Sequence, residues 1–200
     1  LTLRLHVERD RQRQSLEGSD VLTYRARHMP GLFPMSTMLV DFDRLLRKAW
    51  SFWTSRQGGD PYTNMQNTFR GHLVVVADER TYSDGETFVA AIKRLDIAPV
   101  IGKRTAGAGV WLSGRNRLSD NGIARVSEFP YFAMDGEWLV EGYGVNPTIE
   151  VDNLLHATFN GADAQLDAAI NYLQRKIKEE PVPELKADPF PGNGIPAVEN

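Results

Sequence analysis

The sequence contains no cysteine. This excludes disulfides, thiolate metal sites and a cysteine nucleophile, and redox chemistry gives no clue to the compartment. No apolar run approaches the roughly 18 residues of a membrane-spanning helix. Residues 1–9 alternate apolar and charged side chains where a signal peptide would carry an apolar stretch. The first residue is not Met, as expected of a fragment or a processed product. Positive charge is not in excess: the net charge is −3, so no domain-wide field exists to hold phosphates and nucleic acid is not an expected partner. No two histidines stand at His-x-x-x-His spacing, and neither a metal nor any other cofactor is expected.

The 200 residues are 42% hydrophobic and 24% charged, which fits one domain of ordinary core size or one domain with tails. Residues 1–44 lack a clear period apart from Leu3, Leu5 and Val7, which alternate as in one short strand. From Phe42 to Trp53 the spacing of Leu45, Leu46, Ala49, Trp50 and Trp53 predicts a helix, with Trp50, Phe52 and Trp53 facing the core. Leu73 to Ala77 reads as a buried strand opened by His72. Glu86 to Leu95 reads as a helix with Phe88, Ala91, Ile92 and Leu95 on one side, and Pro99 to Gly102 as the next strand. This alternation argues for an α/β layered core. The glycine-rich stretch 105–130 reads as strands joined by turns, with Ser119-Asp120-Asn121-Gly122 as a turn signal. Leu166, Ile170, Leu173 and Ile177 mark a last amphipathic helix before a proline-rich tail.

The stretch Asp78 to Glu86 runs from a buried strand through a tight polar turn directly into a helix. A serine there, Ser83, sits on a sharp bend, and the free amides that follow it suit an oxyanion. The G-x-S-x-G form of such a turn is not present. On pattern alone the commoner reading is that Ser83 or Asp84 simply caps the helix.

From Asn64 onward the order of motifs resembles the tail-specific (C-terminal processing) serine peptidase family, of tricorn type. The motifs are Arg70-Gly71, the apolar strand, Ser83-Asp84-Gly85-Glu86, Val100-Ile101-Gly102-Lys103-Arg104-Thr105, Arg117 to Gly122, Ser127-Glu128-Phe129 and Glu141-Gly142-Tyr143-Gly144-Val145-Asn146-Pro147, then the helix opening at Asp163. The resemblance implies three segments: 1–44 poorly matched, 45–180 the peptidase core, 181–200 a tail. It implies a spiral α/β core of the crotonase and Clp-protease type, made of short strands and helices. It further implies Ser83 as nucleophile, the backbone N–H of Asp84 as an oxyanion donor, and Glu141 as the carboxylate that orients the general-base histidine through a second serine. Peptide bonds of oligopeptides or unstructured protein tails would be the substrate, a homo-oligomer the assembly, the cytoplasm the location, with no membrane partner.

The family's histidine, its accessory serine and its Asp-x-Arg-x-Asn-x-Gly-Gly motif are not recognisable here. His6, His28, His72 and His156 are the histidines available; Lys93 and Lys103 are the lysines a Ser–Lys dyad would use. Lys103, Arg104, Arg115 and Arg117 are either a solvated loop or a patch for a peptide carboxylate. A catalytically silent peptide-binding or assembly core is the alternative reading. An acyl-CoA enzyme on the same fold is disfavoured by Ser83-Asp84-Gly85 at the strand–helix junction.

Overall fold

The computed structural model describes residues 45–55, 59–63 and 68–189, together with the backbone of residues 22–25. The strands are β1 (Leu22–Arg25), β2 (Phe52–Trp53), β3 (Tyr62–Thr63), β4 (Leu73–Ala77), β5 (Val100–Gly102), β6 (Trp111–Arg117), β7 (Ile123–Phe129) and β8 (Ile149–Glu150). The helices are α1 (Asp84–Arg94), α2 (Leu155–Phe159) and α3 (Ala164–Glu179).

The architecture is mixed α/β, and β4 explains it. Its five residues, Leu-Val-Val-Val-Ala, are all buried. Successive side chains of a strand point to opposite faces, so a strand apolar throughout needs a cover on each side. Leu73, Val75 and Ala77 pack with Phe88, Val89 and Ile92 of α1 and with Val100. Val74 and Val76 pack with Ile101 and with Ala169 and Leu173 of α3. Each valine removed from water in this way contributes about 1.5–3 kcal/mol before entropy is counted. The sheet carries the order β1-β4-β5-β8, parallel throughout, with Val75 beside Val100 and Ile101 beside Ile149. Parallel neighbours need a crossover, and α1 provides the one between β4 and β5. Gly102 stands at φ +132, and a Cβ there would lie 1.9 Å from the Ala77 carbonyl oxygen.

The expected hairpin is present as β6 and β7, antiparallel, closed by Leu118 N–H to the Gly122 carbonyl at 2.9 Å. The expected last helix is α3, capped by Asp163, whose Oδ1 accepts from the Leu166 amide at 3.1 Å. The helix expected from Phe42 to Trp53 is overturned beyond Leu46. Leu45 and Leu46 are helical, Arg47 to Trp50 are not, and Phe52 and Trp53 form β2 against β3. Trp53 stacks on Tyr62 at 6.4 Å, and the Arg70 guanidinium lies 4.9 Å over the Phe52 ring. Trp50 and Trp53 are therefore not core residues: they are 75% and 47% exposed. Cross-strand pairing outweighs the local helical period here. The strand expected at Leu3–Val7, the residues Phe42 to Arg44, and His6 and His28 lie outside the described residues.

Candidate active site

Ser83 lies beyond the C-terminal end of β4, the edge at which open parallel sheets hold their ligands. The turn that carries it is tightly bonded. Asp78 Oδ1 accepts from the Arg80 amide at 2.9 Å, the Asp78 carbonyl accepts from the Thr81 amide at 2.9 Å, and Thr81 is fully buried. Ser83 itself has φ 56 and ψ −124, a backbone region that residues with a side chain seldom adopt and that costs about 1–3 kcal/mol. A capping serine would have extended backbone and would accept from an amide of the first helical turn. Ser83 has neither property: its side chain makes no cap hydrogen bond. The capping reading fails at this residue.

The Asp84 amide opens α1, and among the described residues it has no hydrogen-bond acceptor. It is a free donor at the positive end of a helix dipole. The Asp84 carboxyl is half-buried, and desolvation pushes its pKa above the ordinary 3.8. A Cβ on Gly85 would meet Thr81 Cγ2 at 3.1 Å, so the helix starts in close contact with the turn.

Residues 105–110 lie along this turn as a strap. The Ser83 amide donates to the Ala108 carbonyl at 3.2 Å, and the Ala106 amide donates to the Thr81 carbonyl at 3.0 Å. The strap is held from below by Glu86, 0% exposed, one helical turn beyond Ser83. One oxygen, Oε1, accepts from the Thr105 hydroxyl and from the Gly107 amide at 2.7 Å; the other, Oε2, accepts from the Ala108 amide at 2.7 Å. A buried carboxylate left without donors is strongly destabilising, and here both oxygens are satisfied.

Glu141 holds the next two residues of the strap. Its Oε2 accepts from the Gly109 amide at 2.8 Å and from the Val110 amide at 3.0 Å. Its backbone is placed by an unusual turn: Val140, 2% exposed, stands at φ 71, followed by Gly142 at φ 82 and Gly144 at φ 65. The Gly142 amide donates to the Gly107 carbonyl at 2.9 Å, and the Val145 amide donates to Thr105 Oγ1 at 2.7 Å. A Cβ on Gly109 would lie 2.7 Å from Val140 Cγ1. Ser83 and Glu141 thus bond to adjacent residues of one strap, Ala108 and Gly109.

The remaining candidates lie elsewhere. His72 Nε2 is bonded to the Glu180 carbonyl at 2.6 Å, at the start of β4 and so a strand's length, about 17 Å, from its far end. His156 contacts Asn160 on the short α2. Lys93 donates to the Asn146 carbonyl at 2.6 Å. Lys103 pairs with Asp152 at 2.8 Å, and that hydrogen bond raises its pKa, whereas a general-base lysine needs a lowered one. Arg104 donates to the Tyr143 carbonyl at 2.7 Å, and Arg115 pairs with Glu128 at 3.7 Å over the Phe129 ring. Three of the four cations of the supposed patch are thereby tied to a carbonyl or a carboxylate of their own. Among the described residues no cluster of three His, Asp or Glu could hold a metal ion.

Glu86 and Thr105 are the residues that reading the sequence missed. A glutamate three positions after a serine at a helix start has the form of a capping box, and that signal concealed its burial.

A model of the family described as peptidase family S41 matches residues 12–151, a span that contains Ser83, Glu86, the strap and Glu141 and begins inside the segment 1–44. The tricorn protease of Thermoplasma acidophilum is 31% identical over 137 residues, 68% of this chain and 13% of that protein. Tricorn protease homolog 1 of Streptomyces coelicolor is 36% identical over 129 residues, 64% of this chain and 12% of that protein. The chain therefore spans only about an eighth of the length of these relatives. The crystal structure of the tricorn protease superposes with a TM-score of 0.69 at 28% identity, over 79% of this chain and 15% of that one. Among the described residues no helix is long and apolar enough to cross a membrane. The strand–turn–helix that carries Ser83 and the loop that carries Glu141 both fall within the matched span, and the chain belongs to peptidase family S41, among its tricorn-like members.

Proposed function

We propose that this chain is the nucleophile-bearing core of a serine peptidase that cleaves oligopeptides or unstructured protein tails through an acyl-enzyme on Ser83. The observation that carries this reading is the Ser83 backbone, held at φ 56 with its hydroxyl unused for capping. Strain of this kind in a residue with a reactive side chain is the mark of a nucleophile presented on a sharp turn. In the reaction, Ser83 Oγ gives its proton to a base and bonds to the scissile carbonyl carbon. The carbonyl oxygen takes the negative charge and accepts from the free Asp84 amide, a donor of a type worth about 3–4 kcal/mol in the transition state. The C–N bond then breaks, the amine leaves with a proton, and water later releases the acid. Glu141, with Oε2 occupied by two amides, has Oε1 available to orient a base or its relay.

The base comes from outside the described residues, since His72 and His156 are engaged elsewhere. On this reading the core extends over 45–180, has the spiral topology of the crotonase and Clp-protease folds, assembles as a homo-oligomer and works in the cytoplasm. The same two histidines favour a second reading, a catalytically silent core that binds peptides or partner subunits. A fluorophosphonate probe followed by intact mass separates the two. Labelling that Ser83→Ala abolishes supports the enzyme; a folded chain that takes no probe supports the silent core.

A further inference from the structure

We infer that Glu86 is a positioning residue that holds Ser83 in its strained conformation and keeps it in register with Glu141; the inference rests on reading Ser83 as the nucleophile. A residue at φ 56 persists only where its surroundings over-determine it. Two bonds do so on the amide side: Ser83 N–H reaches the Ala108 carbonyl, and the Ala108 N–H reaches Glu86 Oε2. The peptide groups flanking Ala108 thus bond to the nucleophile on one side and to the buried carboxylate on the other. On the carbonyl side, Ser83 accepts from the amide of Glu86 itself at 2.9 Å and from that of Thr87 at 3.2 Å. One residue therefore anchors the nucleophile turn through the helix backbone and through the strap.

The same carboxylate reaches toward Glu141. Thr105 Oγ1 donates to Glu86 Oε1 and accepts from the Val145 amide, four residues beyond Glu141. The Gly107 amide donates to Glu86, while the Gly107 carbonyl accepts from the Gly142 amide, the residue after Glu141. Moving the strap would move Ser83 and Glu141 relative to each other, and displacements of about 1 Å in a catalytic constellation can cost about 100-fold in rate.

The test is amide-resolved hydrogen exchange on the wild-type chain and on Glu86→Gln, with probe labelling of the same samples. Exchange at Ser83, Gly107 and Ala108 is expected to accelerate about tenfold more than exchange across β4, because only the former lose an acceptor or the partner behind it. In the labelling arm the maximal rate falls about 100-fold while the half-saturating probe concentration stays within about twofold, the split that misplacement gives and loss of binding does not. Acceleration that is uniform along the chain, or absent at Ser83, overturns the inference. If Glu86→Gln does not fold, Glu86→Asp, which keeps the charge but shortens the reach, is read in the same way. A wild-type chain that takes no probe overturns the nucleophile reading, and the exchange pattern then decides the role of Glu86 alone.

Discussion

Glu86 and Glu141 accept hydrogen bonds from four consecutive backbone amides, Gly107 and Ala108 to the first and Gly109 and Val110 to the second. The two carboxylates differ in how they do it. Glu141 uses a single oxygen for both amides, whereas Glu86 uses both oxygens and also takes the Thr105 hydroxyl. A carboxamide has only one accepting oxygen. Glu141→Gln can keep its two bonds and should cost about 1 kcal/mol, while Glu86→Gln must turn an NH2 group toward a buried donor and should cost about 3 kcal/mol. Urea unfolding of the two variants checks this; equal losses would mean that the asymmetry does not exist in solution.

The strain at Ser83 can be weighed directly. Ser83→Ala and Ser83→Gly both remove the hydroxyl, but only glycine is at ease at φ 56 and ψ −124. After the extra chain entropy of glycine is subtracted, the glycine variant should be the more stable by about 1 kcal/mol. An alanine variant at least as stable would show that the turn is unstrained.

Burial holds the Asp84 carboxyl above the ordinary 3.8, so the folded chain binds this proton more tightly than the unfolded chain does. As pH rises past 3.8 the unfolded carboxyl ionises first, and the group subtracts stability, in full once the pH exceeds its folded pKa. Asp84→Asn should therefore unfold at higher urea than wild type at neutral pH, with the gap closing as pH falls toward 3.8. A wild-type chain that is the more stable at neutral pH would show that the helix dipole outweighs desolvation.

Gly144 and Gly136 form a controlled pair. Both have positive φ, 65 and 87, but a Cβ on Gly144 would lie 2.4 Å from the Thr105 carbonyl oxygen, whereas one on Gly136 meets nothing within 4 Å. Gly136→Ala should cost only the left-handed backbone term, about 1 kcal/mol. Gly144→Ala should cost about 3 kcal/mol and also slow labelling, because the strap and the Glu141 loop must separate. Thermal or urea unfolding together with probe kinetics would distinguish them.

The central strand, the helix after it, the hairpin and the last helix were legible because each carries its own period or turn signal. The strand at Phe52–Trp53 was not, because Trp50 and Trp53 fall at helical spacing and the strand partner at Tyr62–Thr63 is separated from them in sequence. Ser83 was legible as a candidate, but whether it caps depends on two backbone angles that composition does not encode. Glu86 was hidden for the opposite reason: its local pattern has a common explanation, and only the return of residues 105–108 makes it a buried acceptor. Val140 at φ 71 carried no signal at all, since a β-branched residue is among the last expected there.

That valine constrains which sequences the fold can tolerate. Positions 109 and 140 share room for one side chain: a Cβ added to Gly109 would sit 2.7 Å from Val140 Cγ1 and 2.9 Å from Val140 Cβ. The side chain stands on the residue whose backbone resists it, and glycine occupies the one whose backbone does not. Either single exchange loses something, Gly109→Ala to collision and Val140→Gly to an emptied core position. Made together they exchange the roles and relieve the left-handed valine. Divergence at this pair should be concerted, with glycine moving between the two positions and never leaving both.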